Sequence, residues 1–196
     1  MADVTISGLN PASPSKNTAV IPFSDGATTY KTSPSGIVAA SPGSILQVVQ
    51  GVKSDAQTFT PAAGNTEIAI TGLSASITPV STNSRILISM QLCYAAYGST
   101  QGGYFKRNNV AICLGNAGQN QQRVTIGLPY SSDTNQMMTV PLMCMDNNPV
   151  AGTNTYQFFA INDNGYNLHI NRATNDTNSA TGKRGISTVT LMEIAG

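Results

Sequence analysis

The side chains that could do chemistry in this chain are few and widely spaced. The single histidine, His169, sits in an alternating run at 166–170, opposite in parity to Tyr166, Leu168 and Ile170. That pattern predicts a surface residue on the polar face of a strand. No serine or cysteine stands near it in sequence to suggest a nucleophile and base. The three cysteines, Cys93, Cys113 and Cys144, fall in apolar strand-like segments with no short spacing. An odd number so arranged is neither a disulfide framework nor a zinc site, and all three read as buried reduced thiols. Most of the nine acids lie in turn-like stretches, where aspartate is favoured by local hydrogen bonding. With only Glu67 and Glu193 as glutamates, the chain is poor in the carboxyl pairs, ~5–9.5 Å apart, that glycosidases need. The stretches 146–148 and 163–165 look superficially like oxygen-ligand loops but lack the EF-hand spacing and its final glutamate. No nucleophile elbow, zincin helix or phosphate loop occurs. The expectation is a protein without catalytic residues, metal or cofactor.

Binding is the chemistry left open. Asn, Gln and Thr with scattered tyrosines are what a shallow carbohydrate site uses for hydrogen bonds and ring stacking, and they are also ordinary loop filler. The candidates for glycan or partner contact are Tyr97, Tyr104, Gln119, Asn120, Tyr130 and Asn175. The only paired basic residues, Lys106-Arg107 and Lys183-Arg184, read as isolated solvated charges.

Composition narrows the partners. Only 10% of the 196 residues are charged, against ~25% in an average globular protein. Ten basic and nine acidic residues nearly cancel, which removes the footprint of a nucleic-acid binder and disfavours an acidic membrane surface. The surface must then be made of Ser, Thr, Asn, Gln and Gly. Weak self-repulsion lets subunits crowd together, so the chain reads either as a charge-poor β-protein or as a subunit built for repeated assembly. The opening M-A-D-V-T-I-S has no signal-peptide pattern. No run approaches the ~18 apolar residues of a membrane span. Both features predict folding in a reducing cytoplasm.

The elements that must position these residues are strands. Arg85–Ala96 carries apolar residues at every even position, Ile86, Ile88, Met90, Leu92, Tyr94 and Ala96. A period of two held this long predicts a central strand with one face on a core. Around it, runs at 45–49, 56–59, 67–70, 73–78, 104–114, 123–128, 137–145, 153–161, 166–170 and 185–194 read as further strands. Pro141 predicts an edge position or bulge for its strand. Asn-Gly at 164–165 predicts a hairpin. Turn signals every ~8–12 residues and no helical periodicity give an all-β fold, an antiparallel β-sandwich of jelly-roll type, over residues 45–196. Residues 1–44 differ: Pro11, Pro14, Pro22, Pro34 and Pro42 recur among Ser, Thr, Gly and Ala. Proline removes backbone donors, so this segment reads as an extended arm without regular sheet. Val4, Ile6, Val20, Ile21 and Phe23 are its apolar anchors for attachment to another surface. Loops at 98–103, 115–122, 131–136 and 171–185 are expected at the ends of the sandwich.

The body resembles tailed-phage virion proteins of the capsid-decoration, cement and fibre type. The resemblance rests on I-L-Q-V-V-Q-G at 45–51, I-T-P-V-S-T-N-S-R-I-L-I at 77–88 and G-I-S-T-V-T-L-M-E-I-A-G at 185–196. The arm, with I-P-F-S-D-G-A-T-T-Y-K-T-S-P-S-G-I at 21–37, looks like an anchoring segment of phage fibres. The resemblance implies a location on the exterior of a virion, a β-sandwich, homotrimeric assembly and contacts with the major capsid protein or other virion subunits. It carries over no catalytic residue. Long fibres place a shaft between anchor and tip, whereas here arm passes to body within residues 41–44. That favours a decoration or cement protein over the alternative, a tail- or head-fibre protein that binds host-surface carbohydrate. A polysaccharide hydrolase is the least supported reading.

Overall fold

The computed structural model describes residues 21–24, 29–32, 41–60, 66–99, 101–162, 165–178 and 182–196. The chain divides into two units, Met1–Ser41 and Pro42–Gly196. In the first, β1 (Ile21–Ser24) pairs antiparallel with β2 (Thr29–Thr32), Ile21 opposite Thr32 and Ser24 opposite Thr29. This corrects the expectation of an arm without sheet. A two-stranded ribbon leaves part of each backbone outside the ladder, so it can take Pro22. Of the predicted anchors, Ile21 and Phe23 lie on β1, and Val4, Ile6 and Val20 lie outside the described residues.

The second unit is an antiparallel β-sandwich. Its strands are β3 (Ile45–Lys53), β4 (Gln57–Phe59), β5 (Thr66–Ile77), β6 (Arg85–Ala96), β7 (Gln101–Arg107), β8 (Val110–Ile112), β9 (Ile126–Leu128), β10 (Met138–Asp146), β11 (Asn154–Asn162), β12 (Leu168–Ile170) and β13 (Ser187–Ile194). The first sheet is built on β6, with β10 on one edge and β13 and β12 on the other; β3 lies outside β13 and β4 outside β12. The second runs β5-β11-β7-β8, with β9 also on β7. The even face of β6 is the core as read: Ile86, Ile88, Met90, Leu92, Tyr94 and Ala96 are all buried. They pack with Ile70, Leu73, Phe105, Tyr156 and Phe158 of the second sheet, where Phe105 and Phe158 meet edge to face at 5.3 Å. Among the described residues β10 pairs with β6 alone, so Pro141 does sit on an edge strand.

Three local readings are corrected. The run 104–114 is a tight hairpin, because Asn108 and Asn109 have φ of 48° and 68°. Two consecutive left-handed residues make the turn that matches strand twist, and asparagine tolerates that region. The expected Asn-Gly hairpin does not form: β11 belongs to the second sheet and β12 to the first, so the chain changes sheets between these two strands. The runs 67–70 and 73–78 are one strand, β5, with a bulge at Gly72 (φ 82°). Buried positions pass from Ile70 to Leu73 across the bulge. The side-chain amide of Gln157 donates to the carbonyls of Ile70 (2.8 Å) and Leu73 (3.1 Å), replacing ladder bonds that the bulge removes.

Candidate functional site

The second edge of β6 is covered by two strands laid end to end. β13 pairs with β6 from Arg85 to Gln91 and β12 from Tyr94 to Ala96, so residues 171–186 form an excursion out of one interrupted strand track. β3 and β4 break at the same level, because Lys53 pairs with Ser187 and Gln57 with Ile170. Asn171, buried and at φ 58°, fills both gaps. Its amide donates to the carbonyls of Lys53 (2.8 Å) and Asp55 (3.0 Å), and its Oδ1 accepts from Ser187 Oγ (2.7 Å). Its backbone N–H donates to Cys93 O, while Ser187 Oγ accepts from Cys93 N–H, both at 2.9 Å. The excursion is closed by a bridge between Arg172 and Arg184. On its way out it lies against the segment before β10, where the backbone N–H of Asn175 donates to Thr134 O at 2.8 Å.

This cover corrects the reading of His169. The ring is on the outer face as expected but is only 5% exposed. Its Nδ1 lies 3.0 Å from Thr58 Oγ1. Burial, aided by the Arg172 charge, lowers its pKa from 6.5 despite Asp176, so the ring is neutral at pH 7. The thiol readings divide. All three cysteines are free; Cys93 is buried, with Sγ 3.4 Å from Thr139 Oγ1, but Cys113 and Cys144 are half-buried and hydrogen-bonded to each other. That contact lowers the Cys113 thiol and, with burial and the Asp146 charge, raises Cys144. The two had been far apart in sequence, and the packing of β10 beside the end of β8 brings them together. The basic pairs are not isolated either: Lys106 pairs with Glu67 and lies 4.5 Å from the centre of the Phe159 ring, and Arg107 pairs with Asp146 at 2.6 Å.

The predicted contact residues do not converge on one place. Tyr104 is buried in β7, donates to Glu67 and stacks on Phe159, so it is a core-edge residue rather than a loop contact. Gln119 and Asn120 are exposed on the segment between β8 and β9, which runs along a sheet edge because both strands pair with β7. Asn175 is exposed on the excursion, its amide 3.2 Å from Asn135 Oδ1. Tyr97 and Tyr130 are 46% and 51% exposed and come together at the C-terminal end of β6, where the N–H of Ser131 donates to Ala96 O at 3.0 Å. A third tyrosine, Tyr166, was missed. Its ring covers Gly98, where an added Cβ would lie 2.6 Å away, and it is 43% exposed. Only the change of sheet between β11 and β12 puts it there.

Beside the excursion lies a polar hollow of about 480 Å³, lined by Ser54, Ala56, Gln57, Thr58, Arg172, Asp176 and Arg184. Asp176 holds both arginines, Arg172 at 3.0 Å and Arg184 at 2.7 Å. Arg172 is further fixed by the carbonyls of Ala173 and Thr174. Of these residues, sequence reading had noted Arg184 only as a solvated charge. The contact of β4 with the excursion, which assembles the group, has no sequence signature. Among the described residues no group of three or more His, Cys, Asp or Glu could hold a metal ion.

No protein-family model matches this chain, and no curated protein matches it in sequence. Among solved structures it is similar to a chain in the structure of infectious bursal disease virus Gx strain, at 10% identity and a TM-score of 0.41. The match covers 88% of this chain and 41% of that one.

Proposed function

We propose that the chain is a non-enzymatic structural protein of a virion of tailed-phage type, a decoration or cement protein on the particle exterior. In this reading the segment 1–44 and the base of the sandwich attach it to the major capsid protein or another virion subunit. The carrying observation is the polarity of the body. Residues 43 and 44 are tied to Ala195 by two backbone hydrogen bonds of 2.8 Å, beside the end of β13 that pairs with Arg85. Tyr97, Tyr130 and Tyr166 lie at the other end of β6, twelve residues away, or ~40 Å at ~3.3 Å per residue. The chain thus enters the body at one end and offers its exposed aromatic rings at the other, as a display module requires.

Self-association fits the outer face of the first sheet. Val48, Met192, Leu87 and Met145 follow one another across four strands by register, flanked by Met143, which is 67% exposed. A contiguous apolar row on a charge-poor face is a protein contact surface, and we assign it to a homotrimer. Electron microscopy of the particle tests the proposal: density for the chain belongs on the capsid exterior at sites of three-fold contact. Density confined to a fibre tip overturns the decoration reading in favour of a second one, recognition of host-surface carbohydrate, which the three exposed tyrosines favour.

A further inference from the structure

We infer that the hollow between β4 and the 171–186 excursion binds an acidic saccharide, with Arg184 receiving the sugar carboxylate. This deepens the carbohydrate reading by naming a site away from the exposed tyrosines and a chemical class of ligand. In a chain with only ten basic and nine acidic residues, Arg172, Arg184 and Asp176 converge on one hollow. Asp176 is shared between the two arginines, so the lining keeps one net positive charge, which suits one carboxylate.

The two arginines are not equivalent. The guanidinium of Arg172 is spent on Asp176, Ala173 O and Thr174 O, with a side chain 19% exposed. Arg184 has a side chain 57% exposed, and among the described residues its side chain donates only through Nη2 to Asp176. The exposed planar fork of Arg184, its head group restrained by the ion pair to Asp176, suits a bidentate acceptor such as a carboxylate. The rest of the lining is neutral and hydrogen-bonding, Ser54, Gln57 and Thr58, with Ala56 adding an apolar contact. Those hydroxyl and amide groups extend the hydrogen-bonding surface beyond the one charged head group, as the several hydroxyls of a sugar acid require. The volume, about 480 Å³, lies within the ~300–1,000 Å³ of small-ligand clefts.

Saturation-transfer NMR on the full chain tests the site, with glucuronic acid and glucose as observed probes and inorganic phosphate as a competitor that would quench the glucuronic acid signal. Glucuronic acid is expected to bind and to outcompete both glucose and phosphate. Arg184→Gln should weaken it at least tenfold, and Arg184→Lys, which keeps the charge without the fork, should weaken it less. Tyr97→Ala should leave it unchanged. Phosphate binding as well as glucuronic acid would reduce the hollow to a plain anion site and overturn the inference. So would unchanged glucuronic acid binding in both Arg184 variants, or no binding of it at all. Sugar binding lost in Tyr97→Ala but kept in Arg184→Gln would uphold the carbohydrate reading while overturning this site. Arg184 is exposed enough that its variants should keep the wild-type circular dichroism spectrum.

Discussion

The side-chain amide of Asn171 donates to the backbone carbonyl of Lys53 at 2.8 Å, across a point where two neighbouring strand tracks are both broken. One residue thereby supplies the bonds that a continuous ladder would have made to Lys53 and Asp55. A buried carbonyl without a donor costs about 1–3 kcal/mol. The first sheet can therefore open to release the 171–186 excursion only because an amide closes it.

Asn171→Ala should therefore destabilise the protein by about 1–3 kcal/mol, since the buried carbonyl of Lys53 loses its donor while that of the exposed Asp55 can turn to water. Asn171→Gly loses the same bonds but adopts φ 58° without the cost to a side chain in the left-handed region. It should be milder than the alanine variant by about 1 kcal/mol. Urea denaturation checks both. Equal losses in the two variants would mean that the backbone conformation carries no strain.

A second expectation concerns the seam between β3 and β5. An added Cβ at Gly51 would lie 2.0 Å from the backbone oxygen of Ser74, and neither strand can move without displacing its sheet. Gly51→Ala should cost at least about 2 kcal/mol. Gly127, which has nothing within 4 Å of its built Cβ, is the control: Gly127→Ala should fall within about 0.5 kcal/mol of wild type.

Acid should weaken the fold through two groups that act in the same direction. Burial pushes the Glu193 carboxyl up, but the polar groups of Ser84 and Ser81 beside it and hydrogen bonds from Gln47 Nε2 (2.5 Å) and the Val80 N–H (2.8 Å) outweigh it and hold the pKa below 4.5. Its contribution is full above that value and is lost as pH falls through the folded-state pKa. His169 is also lowered, from 6.5. Below that pH the unfolded chain takes up a proton that the folded chain resists, so stability falls with pH here too. His169→Gln should flatten the decline that begins below pH 6.5 and leave the loss at lower pH, below 4.5, to Glu193. Thermal melts across that range check this, and an unchanged slope would show that His169 is not protonated on unfolding.

How much of this was legible depends on how local the cause is. The bounds and buried face of β6 could be read residue by residue, because alternation is enforced wherever one face is covered. The edge position of β10 was legible from Pro141. The hairpin at Asn108-Asn109 was also written locally, but the parity of Val110 and Ile112 with Tyr104 concealed it. Asn164-Gly165 carries the same kind of turn signal where the chain changes sheets, so turn chemistry alone does not say which strands pair. The burial of His169, the contact of Cys113 with Cys144 and the hollow around Arg184 depend on what an excursion covers after the sheet has formed. Parity identifies the face of a side chain, not the loop that closes over it.

The account turns on attachment through the N-terminal segment, and co-sedimentation with undecorated capsids measures that directly. The full chain, expected near three times 20.4 kDa by light scattering, should pellet with capsids. A chain lacking residues 1–40 should remain folded and soluble and stay in the supernatant. Each buried apolar anchor contributes roughly 1.5–3 kcal/mol against ~1–2 kcal/mol of backbone entropy per ordered residue, so attachment rests on many weak contacts multiplied by valency. A truncated chain that pellets as well as the full chain would contradict the account and move the attachment surface onto the sandwich.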